Sequence, residues 1–263
     1  MESWKEFEKS CYNYLVRTYG GVCKFEPLGE SDSTYPDVRV RPNNGRPFYI
    51  ETKESLAQCG QFVLFPDETR GVFEYSSGNK SPLNSYSQEI MNYMNRNFDD
   101  FANAGTRGQD INLPDSVFYG WIKKYYSDKG VRFFITKGSN YVILPIDRFE
   151  EYFSVSATYR IKKSGSADPS RTNVPEIKSI LNARGCRYEL LADGKKMFVK
   201  TTDNISGLKL RGVKYTYLFN QTERGVYNIR KLSNTQNANV IFSISLKRGQ
   251  DIRDLQEFEK SIR

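Results

Sequence analysis

The feature that most constrains the fold is a predicted β-hairpin near the N-terminus. Asp37–Pro42 reads as a strand, Asn43-Asn44-Gly45 as a turn, and Arg46–Lys53 as the return strand. With the turn at this place, Asp37 lies directly opposite Glu51. Side chains in such a pair are about 5 Å apart on the same face of the sheet.

This register gathers three charged side chains at one end of a sheet. Glu51 and Lys53 are two residues apart on one strand and therefore share a face, which Asp37 joins from the neighbouring strand. Ile50 and Thr52 then point to the other face. The chain contains Pro-Asp at other places, and it also contains other Glu-x-Lys and Asp-x-Lys patterns. Only this segment combines the two patterns in one hairpin with the register that brings them together.

The chain of 263 residues contains no histidine, which excludes several catalytic classes. Ser-His-Asp and Cys-His catalysis are excluded, as are zinc sites with histidine ligands. A general base must be a carboxylate, a lysine or a metal-bound water. The four cysteines contain no Cys-x-x-Cys pair, so they indicate neither an all-cysteine zinc site nor a disulfide framework.

Two carboxylates this close repel each other unless a cation lies between them. Oxygen ligands without histidine select a hard cation, which in a cell is Mg²⁺, and Mn²⁺ can take its place. We expect Asp37, Glu51 and the backbone carbonyl of Thr52 as ligands, with Lys53 orienting or deprotonating an attacking water. Metal-assisted phosphodiester hydrolysis fits this set. A salt-bridge ladder on an exposed sheet face is the alternative.

The rest of the chain alternates between helical and strand patterns. We predict helices at 4–19 and 84–102, a helix or strand at 117–126, a hairpin of 131–136 with 141–145, and a strand at 239–246 that pairs with an earlier one. Residues 164–174 read as a linker or exposed loop. Residues 175–231 show a helix followed by strands and many basic side chains, which is typical of a small subdomain.

Charge and hydropathy indicate which partners and which compartment to expect for the protein. The formal net charge of +8 fits either a solvated basic surface or binding to a polyanion. The longest apolar runs have the length of strands, so we expect no membrane contact. No basic segment followed by an apolar run opens the sequence, so we expect a cytoplasmic protein with reduced cysteines.

The order of these features resembles the PD-(D/E)xK nuclease superfamily, in which a helix with Phe-Glu, a polar loop, Pro-Asp and a strand with Glu-x-Lys follow one another. More narrowly, the chain is similar to the GCGC-cutting group of type II restriction endonucleases. The similar segments are Trp-Lys-Glu-Phe-Glu (4–8), Gly-Glu-Ser-Asp-Ser-Thr (29–34), Phe-Tyr-Ile-Glu-Thr-Lys (48–53), Gln-Cys-Gly-Gln-Phe-Val-Leu (58–64), Thr-Tyr-Arg-Ile-Lys-Lys-Ser-Gly-Ser (158–166) and Asn-Ala-Asn-Val-Ile-Phe-Ser-Ile-Ser-Leu (237–246). The chain departs from the group in Pro36 and Thr52, in a hairpin two residues longer, and in a weak match over 167–231.

The resemblance implies an α/β (α+β) fold with a PD-(D/E)xK core, in which helices flank a central mixed β-sheet. It implies a Mg²⁺-dependent enzyme that cuts double-stranded DNA at GCGC as a monomer, with Asp37, Glu51 and Lys53 as catalytic residues. A cognate DNA methyltransferase would protect the host. The implied domains are a catalytic region at 1–130, a recognition region at 131–166 and 232–263, and an inserted basic module at 167–231 that binds DNA nonspecifically.

Candidate DNA-reading residues follow from the groups that a G·C-only site presents in the major groove. The candidates are Gln61, Arg160, Lys162, Lys163, Ser164, Ser166, Asn237 and Asn239. The basic stretch could instead contact only phosphates, which positions a protein on DNA without reading its sequence. The two asparagines could instead cap a turn, and Gln61 could be a buried structural amide. Glu8 and Gln58 are accessory candidates, and a solvated helix face is the alternative for Glu8.

Two other functions remain open at this point. One is a nuclease with the same core that acts in repair or on modified DNA. The other is a non-catalytic DNA-binding protein in which the three charged residues meet by coincidence. Metal dependence distinguishes an enzyme from a binding protein, and discrete fragments distinguish restriction from general nuclease activity.

Overall fold

The structure is a computed structural model that describes residues 4–28, 35–163, 165–232 and 236–263, without the side chains of 162, 163 and 236. The polar loop 29–34 lies outside the described residues. The chain divides into two compact units, of which the first comprises 1–160 with 238–263 and the second comprises 161–237. The assignment of catalytic, recognition and nonspecific regions to stretches of the sequence remains a prediction.

The first unit contains most of the helices and two sheets. Its helices are α1 (Trp4–Tyr19), α2 (Ser85–Arg96), α3 (Phe98–Ala102), α4 (Asp115–Ser127), α5 (Phe149–Tyr152) and α7 (Ile252–Ser261). Its strands are β1 (Cys23–Pro27), β2 (Val38–Pro42), β3 (Phe48–Thr52), β4 (Leu56–Asp67), β5 (Val72–Tyr75), β6 (Gln109–Asp110), β7 (Val131–Lys137), β8 (Tyr141–Pro145), β9 (Phe153–Lys163) and β16 (Gln236–Leu246), the last two of which extend across the unit boundary.

The first sheet has the strand order β1-β2-β3-β7-β8. β3 and β7 are parallel and the other neighbours are antiparallel, so the predicted mixed sheet is confirmed. In the hairpin, Val38 pairs with Ile50 and Val40 with Phe48, which is the register that places Asp37 opposite Glu51.

Helices cover both faces of this sheet. The predicted N-terminal helix is confirmed as α1, which buries Phe7, Cys11 and Leu15 at helical spacing against strands β1 to β3. α7 packs in the same core. On the other face, Tyr126 of α4 contacts Phe134 edge-to-face with ring centroids 5.0 Å apart.

The second sheet has the strand order β5-β4-β16-β9-β6. The predicted C-terminal strand is confirmed, and it pairs with β4. One face of this sheet packs on α4, where Trp121 stacks on Phe242 with centroids 4.4 Å apart. Residues 117–126, left open between helix and strand, are helical. The prediction of a single helix over 84–102 is wrong, because the helix is interrupted at Asn97 and forms α2 and α3 instead.

The second unit consists of β10 (Ser166–Ala167), α6 (Val174–Ala183), β11 (Tyr188–Asp193), β12 (Lys196–Thr201), β13 (Lys209–Arg211), β14 (Thr216–Glu223) and β15 (Val226–Leu232). The predicted helix followed by strands is confirmed. The strands form an antiparallel sheet in the order β11-β12-β15-β14-β13, and β10 pairs with β15. Its own apolar core includes Leu181, Val199 and Phe219. None of the described helices is long and apolar enough to cross a membrane.

Candidate active site

Asp37 lies one residue before β2 and contacts the end of β3. Its Oδ2 accepts hydrogen bonds from the backbone N–H and the Oγ1 hydroxyl of Thr52, both at 2.7 Å. The prediction that the Thr52 side chain faces away from Asp37 is therefore wrong. Asp37 lies outside the paired part of β2, so its carboxylate can reach the end of β3 instead of standing on one face.

Glu51 and Lys53 form an ion pair beside Asp37. Lys53 Nζ donates to Glu51 Oε1 at 2.6 Å, and Glu51 is only 7% exposed. Burial raises the pKa of Glu51 to about 6; Lys53 opposes this shift and the negative charge of Asp37 adds to it. Burial alone would lower the pKa of Lys53, but Glu51 and Asp37 outweigh it and hold that pKa above its usual value, so Lys53 is a cation at neutral pH.

Glu8 on α1 is the third carboxylate of this region. Burial, together with the charge of Asp37, raises the pKa of Glu8 to about 7. Glu8 is half-buried, whereas Glu6 on the same helix is exposed. Glu8, Asp37, Glu51 and Lys53 are called the charged cluster below.

The charged cluster borders open space. A cavity of about 440 Å³ is lined by residues of α1, including Lys5 and Glu8, and by Asp37. A second cavity is lined by Glu8, Lys53 and Gln58, together with other residues at the ends of α1 and β3. Glu8 thus lies on the wall of both cavities, Asp37 on the wall of the first and Lys53 on the wall of the second.

The donor set fits a hard divalent cation. The hydrogen bonds described above use Oδ2 of Asp37 and Oε1 of Glu51, and no described residue donates to the second oxygen of either carboxylate. Among the described residues, no three carboxylates or thiols are close enough to hold a metal ion together. A cation here would therefore bind two carboxylates and complete its coordination with the Thr52 carbonyl, water and substrate oxygens, which is the habit of Mg²⁺.

The second sheet carries several of the predicted DNA-reading residues. Gln58 and Gln61 on β4 are exposed, and Gln58 Nε2 donates to Gln61 Oε1 at 3.0 Å. The alternative of a buried structural amide for Gln61 is therefore wrong. Asn239 on β16 and Arg160 on β9 are half-buried on strands of the same sheet.

The remaining predicted residues lie elsewhere or cannot be described. Ser166 belongs to the second unit, where its hydroxyl accepts a hydrogen bond from Arg230 Nε at 3.1 Å. Asn237 is exposed at the end of that unit. Ser164 and the side chains of Lys162 and Lys163 lie outside the described part of the chain.

Sequence reasoning missed several polar side chains on the second sheet. The outward-facing positions of β9 and β16 alternate with buried positions, because the buried face packs on α4 and its neighbours. Together with the two glutamines they form what we call the polar face: Gln58, Gln61, Ser154, Ser156, Thr158, Arg160, Asn239, Ser243 and Ser245. The repeated Ser-x-Ser-x-Thr pattern at the start of β9 is the signal that could have found them.

Comparison with known proteins gives one clear relationship. No family model matches the sequence, and no curated protein matches it. A solved structure of HhaI endonuclease in complex with DNA is similar to this chain with a TM-score of 0.74. The two sequences are 45% identical, and the match covers 99% of each chain. Identity at this level over the full length confirms the resemblance seen in the sequence, and the chain belongs to the HhaI endonuclease family.

Proposed function

We propose that this protein is a type II restriction endonuclease that hydrolyses both strands of double-stranded DNA at GCGC. The observation that carries the proposal is the hairpin register, which holds Asp37 and Glu51 beside a protonated Lys53 at the edge of two cavities. The relationship to an endonuclease solved with DNA supports the same conclusion.

Asp37, Glu51 and the Thr52 carbonyl would hold Mg²⁺. When bound, this ion acidifies a water molecule and neutralises charge on the scissile phosphate. The two hydrogen bonds from Thr52 hold Asp37 in a fixed orientation. Lys53, as a cation, donates hydrogen bonds to the attacking water and to the oxygen on which negative charge develops, so it acts as a donor rather than as a base.

Glu8 has a separate part in this scheme. In the metal-free protein its carboxyl group has a pKa of about 7, so it can take up and release a proton near neutral pH. Its position on the wall of both cavities gives it access to the same substrate as Asp37 and Lys53. We assign it to proton transfer or water positioning.

The second unit would add nonspecific contacts to phosphates. Nine of its basic side chains are exposed, as such contacts require: Lys178, Arg184, Arg187, Lys195, Lys196, Lys200, Lys209, Arg211 and Lys214. We further propose that the enzyme works as a cytoplasmic monomer with one active site. A cognate methyltransferase encoded alongside the enzyme would protect host DNA and need not bind to the enzyme.

The test is digestion of an unmethylated plasmid with Mg²⁺, beside the Asp37→Ala variant and plasmid methylated at GCGC beforehand. We expect discrete fragments that end at GCGC and that disappear with the variant and with methylation. Discrete fragments at another sequence would keep the catalytic assignment and overturn the specificity. Binding without cleavage under Mg²⁺ or Mn²⁺ would reduce the protein to a DNA-binding protein, and a smear would indicate a general nuclease.

A further inference from the structure

The pairing of β4 with β16 contains an irregularity next to the charged cluster. Gln61 pairs with Ile241 and Gln58 pairs with Ser243, so that β4 has one residue more than β16 across this stretch. Such an extra residue is a β-bulge, which changes the direction of side chains along one strand.

The bulge puts two glutamines on the same face. In a regular strand, Gln58 and Gln61 would face opposite sides, because they are three positions apart and successive side chains alternate between the two faces. The extra residue at Cys59 and Gly60 reverses this, so that both glutamines are exposed and both Cys59 and Phe62 are buried.

The bulge is held in place by the core beneath it. Gly60 has a φ of +100°, which a residue with a side chain rarely adopts. A Cβ atom at Gly60 would lie only 2.7 Å from Cζ3 of Trp121, which is fully buried. The backbone at Gly60 therefore rests on the Trp121 ring, and the direction of the two glutamines is set before any ligand arrives.

The hydrogen bond between the two amides fixes what each can offer to a ligand. Because Gln58 donates to the Gln61 carbonyl, Gln58 keeps its carbonyl oxygen as an acceptor and Gln61 keeps its NH₂ group as a donor. A G·C pair presents the complementary groups in the major groove, namely acceptors on guanine and an amino donor on cytosine. Gln58 also lines the cavity that contains Lys53, so the pair lies beside the proposed site of cleavage.

We propose that Gln58 and Gln61 act as one recognition unit that contacts a single G·C pair next to the scissile phosphate. Gln61 donates to the guanine and Gln58 accepts from the cytosine amino group. The inference rests on the proposed function and adds to it the way in which one base pair is read. The two side chains are recognition residues and take no part in the chemical step.

The test measures binding in the full-length Asp37→Ala background, which is not expected to cut. Duplexes carrying the site, and duplexes with each base pair replaced in turn, are titrated against the Gln58→Ala, Gln61→Ala and double variants. We expect each single variant to lose roughly ten- to a hundredfold of its preference at one and the same base pair. The double variant should lose no more than a single variant, and binding to a random duplex should stay unchanged.

Helix α2 offers a matched control, since Gln88 Nε2 donates to Asn92 Oδ1 at 2.9 Å in another exposed amide pair. Alanine at Gln88 and Asn92 should leave the preference unchanged. A second variant, Gly60→Ala, should lower the preference at the same base pair although it leaves both amides in the chain.

Three results would overturn the inference while the proposed function stands. Equal weakening on all duplexes would mean that the glutamines contact phosphates. Additive losses at two different base pairs would mean two separate contacts, and an unchanged preference would place the pair away from the bases.

If the wild-type fragments end at a site other than GCGC, the same titrations use that site. If the wild-type protein neither cuts nor binds DNA, the proposed function fails first, and the inference fails with it.

Discussion

The charged cluster and the polar face lie in the same unit but are built from opposite kinds of side chains. The charged cluster consists of ionisable groups that are buried or half-buried, and two of its carboxylates have raised pKa values. The polar face consists of neutral amides and hydroxyls with one arginine, and most of these are exposed. The hydrolysis that we propose for the cluster and the recognition that we propose for the polar face therefore make different demands on the fold.

The difference has a physical reason. Stabilising charge on a phosphate needs strong fields, and fields are strong only where water is largely excluded, so the cluster bears an unfavourable desolvation. Reading a base needs direction rather than field strength, and neutral donors and acceptors provide direction without a penalty when they are exposed. Substitutions in the two regions should accordingly alter different measurements.

The largest effect is expected for Asp37→Ala. Losing one of the proposed cation ligands should slow single-turnover cleavage at least about a thousandfold, because metal catalysis contributes several kcal/mol. Affinity for the duplex, measured by fluorescence anisotropy, should change little. Glu26→Ala is the control, since Glu26 is a carboxylate of the same sheet whose partners Lys24 and Arg41 are exposed. Unchanged cleavage by Asp37→Ala would refute the assignment of the site.

A smaller loss is expected for Glu8→Gln. Removing the proposed proton acceptor should slow cleavage about a hundredfold and should change the dependence of the rate on pH. Single-turnover rates from pH 6 to pH 8.5 provide the measurement. Glu6→Gln, on the exposed side of the same helix, should behave like the parent. Equal effects of the two substitutions would mean that Glu8 is only a residue of a solvated helix face and has no part in cleavage.

Thr52→Val should have a more modest effect, because the backbone N–H of residue 52 still donates to Asp37. A hydrogen bond to a charged group contributes at least about 1.5 kcal/mol, and because the N–H bond remains we expect a loss at this lower limit, which is a rate reduction of about tenfold. Thr52→Ser, which keeps the hydroxyl, should restore most of the rate. Failure of serine to do so would show that the threonine methyl group, rather than its hydroxyl, matters.

The smallest effect concerns the stability of the metal-free protein. Folding raises the pKa of Glu8 and of Glu51 above the ordinary value of 4.5, so the folded protein binds more protons than the unfolded protein between that pH and about 7. The stability that these two groups contribute is present at low pH and is lost as the pH rises through this window. The Tm of Glu8→Gln relative to the parent should therefore increase from pH 4.5 to pH 7, and a constant difference would contradict the shift.

The sequence predicts the local parts of this site well. The Asn-Asn-Gly turn and the flanking strands define the hairpin, and the turn alone places Asp37 opposite Glu51. Helix α1 can likewise be predicted from the spacing of residues that are close in the sequence. Which side of α1 Glu8 occupies cannot be read from spacing, because it depends on how the helix packs over β1 and β2.

The bulge in β4 shows a second limit. A glycine inside a strand is compatible with a bulge, with close packing or with neither, and regular alternation would separate Gln58 from Gln61. The deciding contact is with Trp121 on α4, far along the chain. The predicted direction of the Thr52 side chain, away from Asp37, is wrong for a related reason. Asp37 lies outside the paired part of β2, where the alternation of side chains between two faces no longer holds.

The two ends of the second unit have a consequence for how such enzymes diversify. The chain leaves the first unit along β9 and returns along β16, and these strands are neighbours in one sheet. A segment whose ends are adjacent can be exchanged for a short turn, or for another module, without changing the pairing of the strands around it. We therefore expect that residues 161–237 can be replaced as a unit while the pairing of β9 with β16 and the charged cluster stay unchanged.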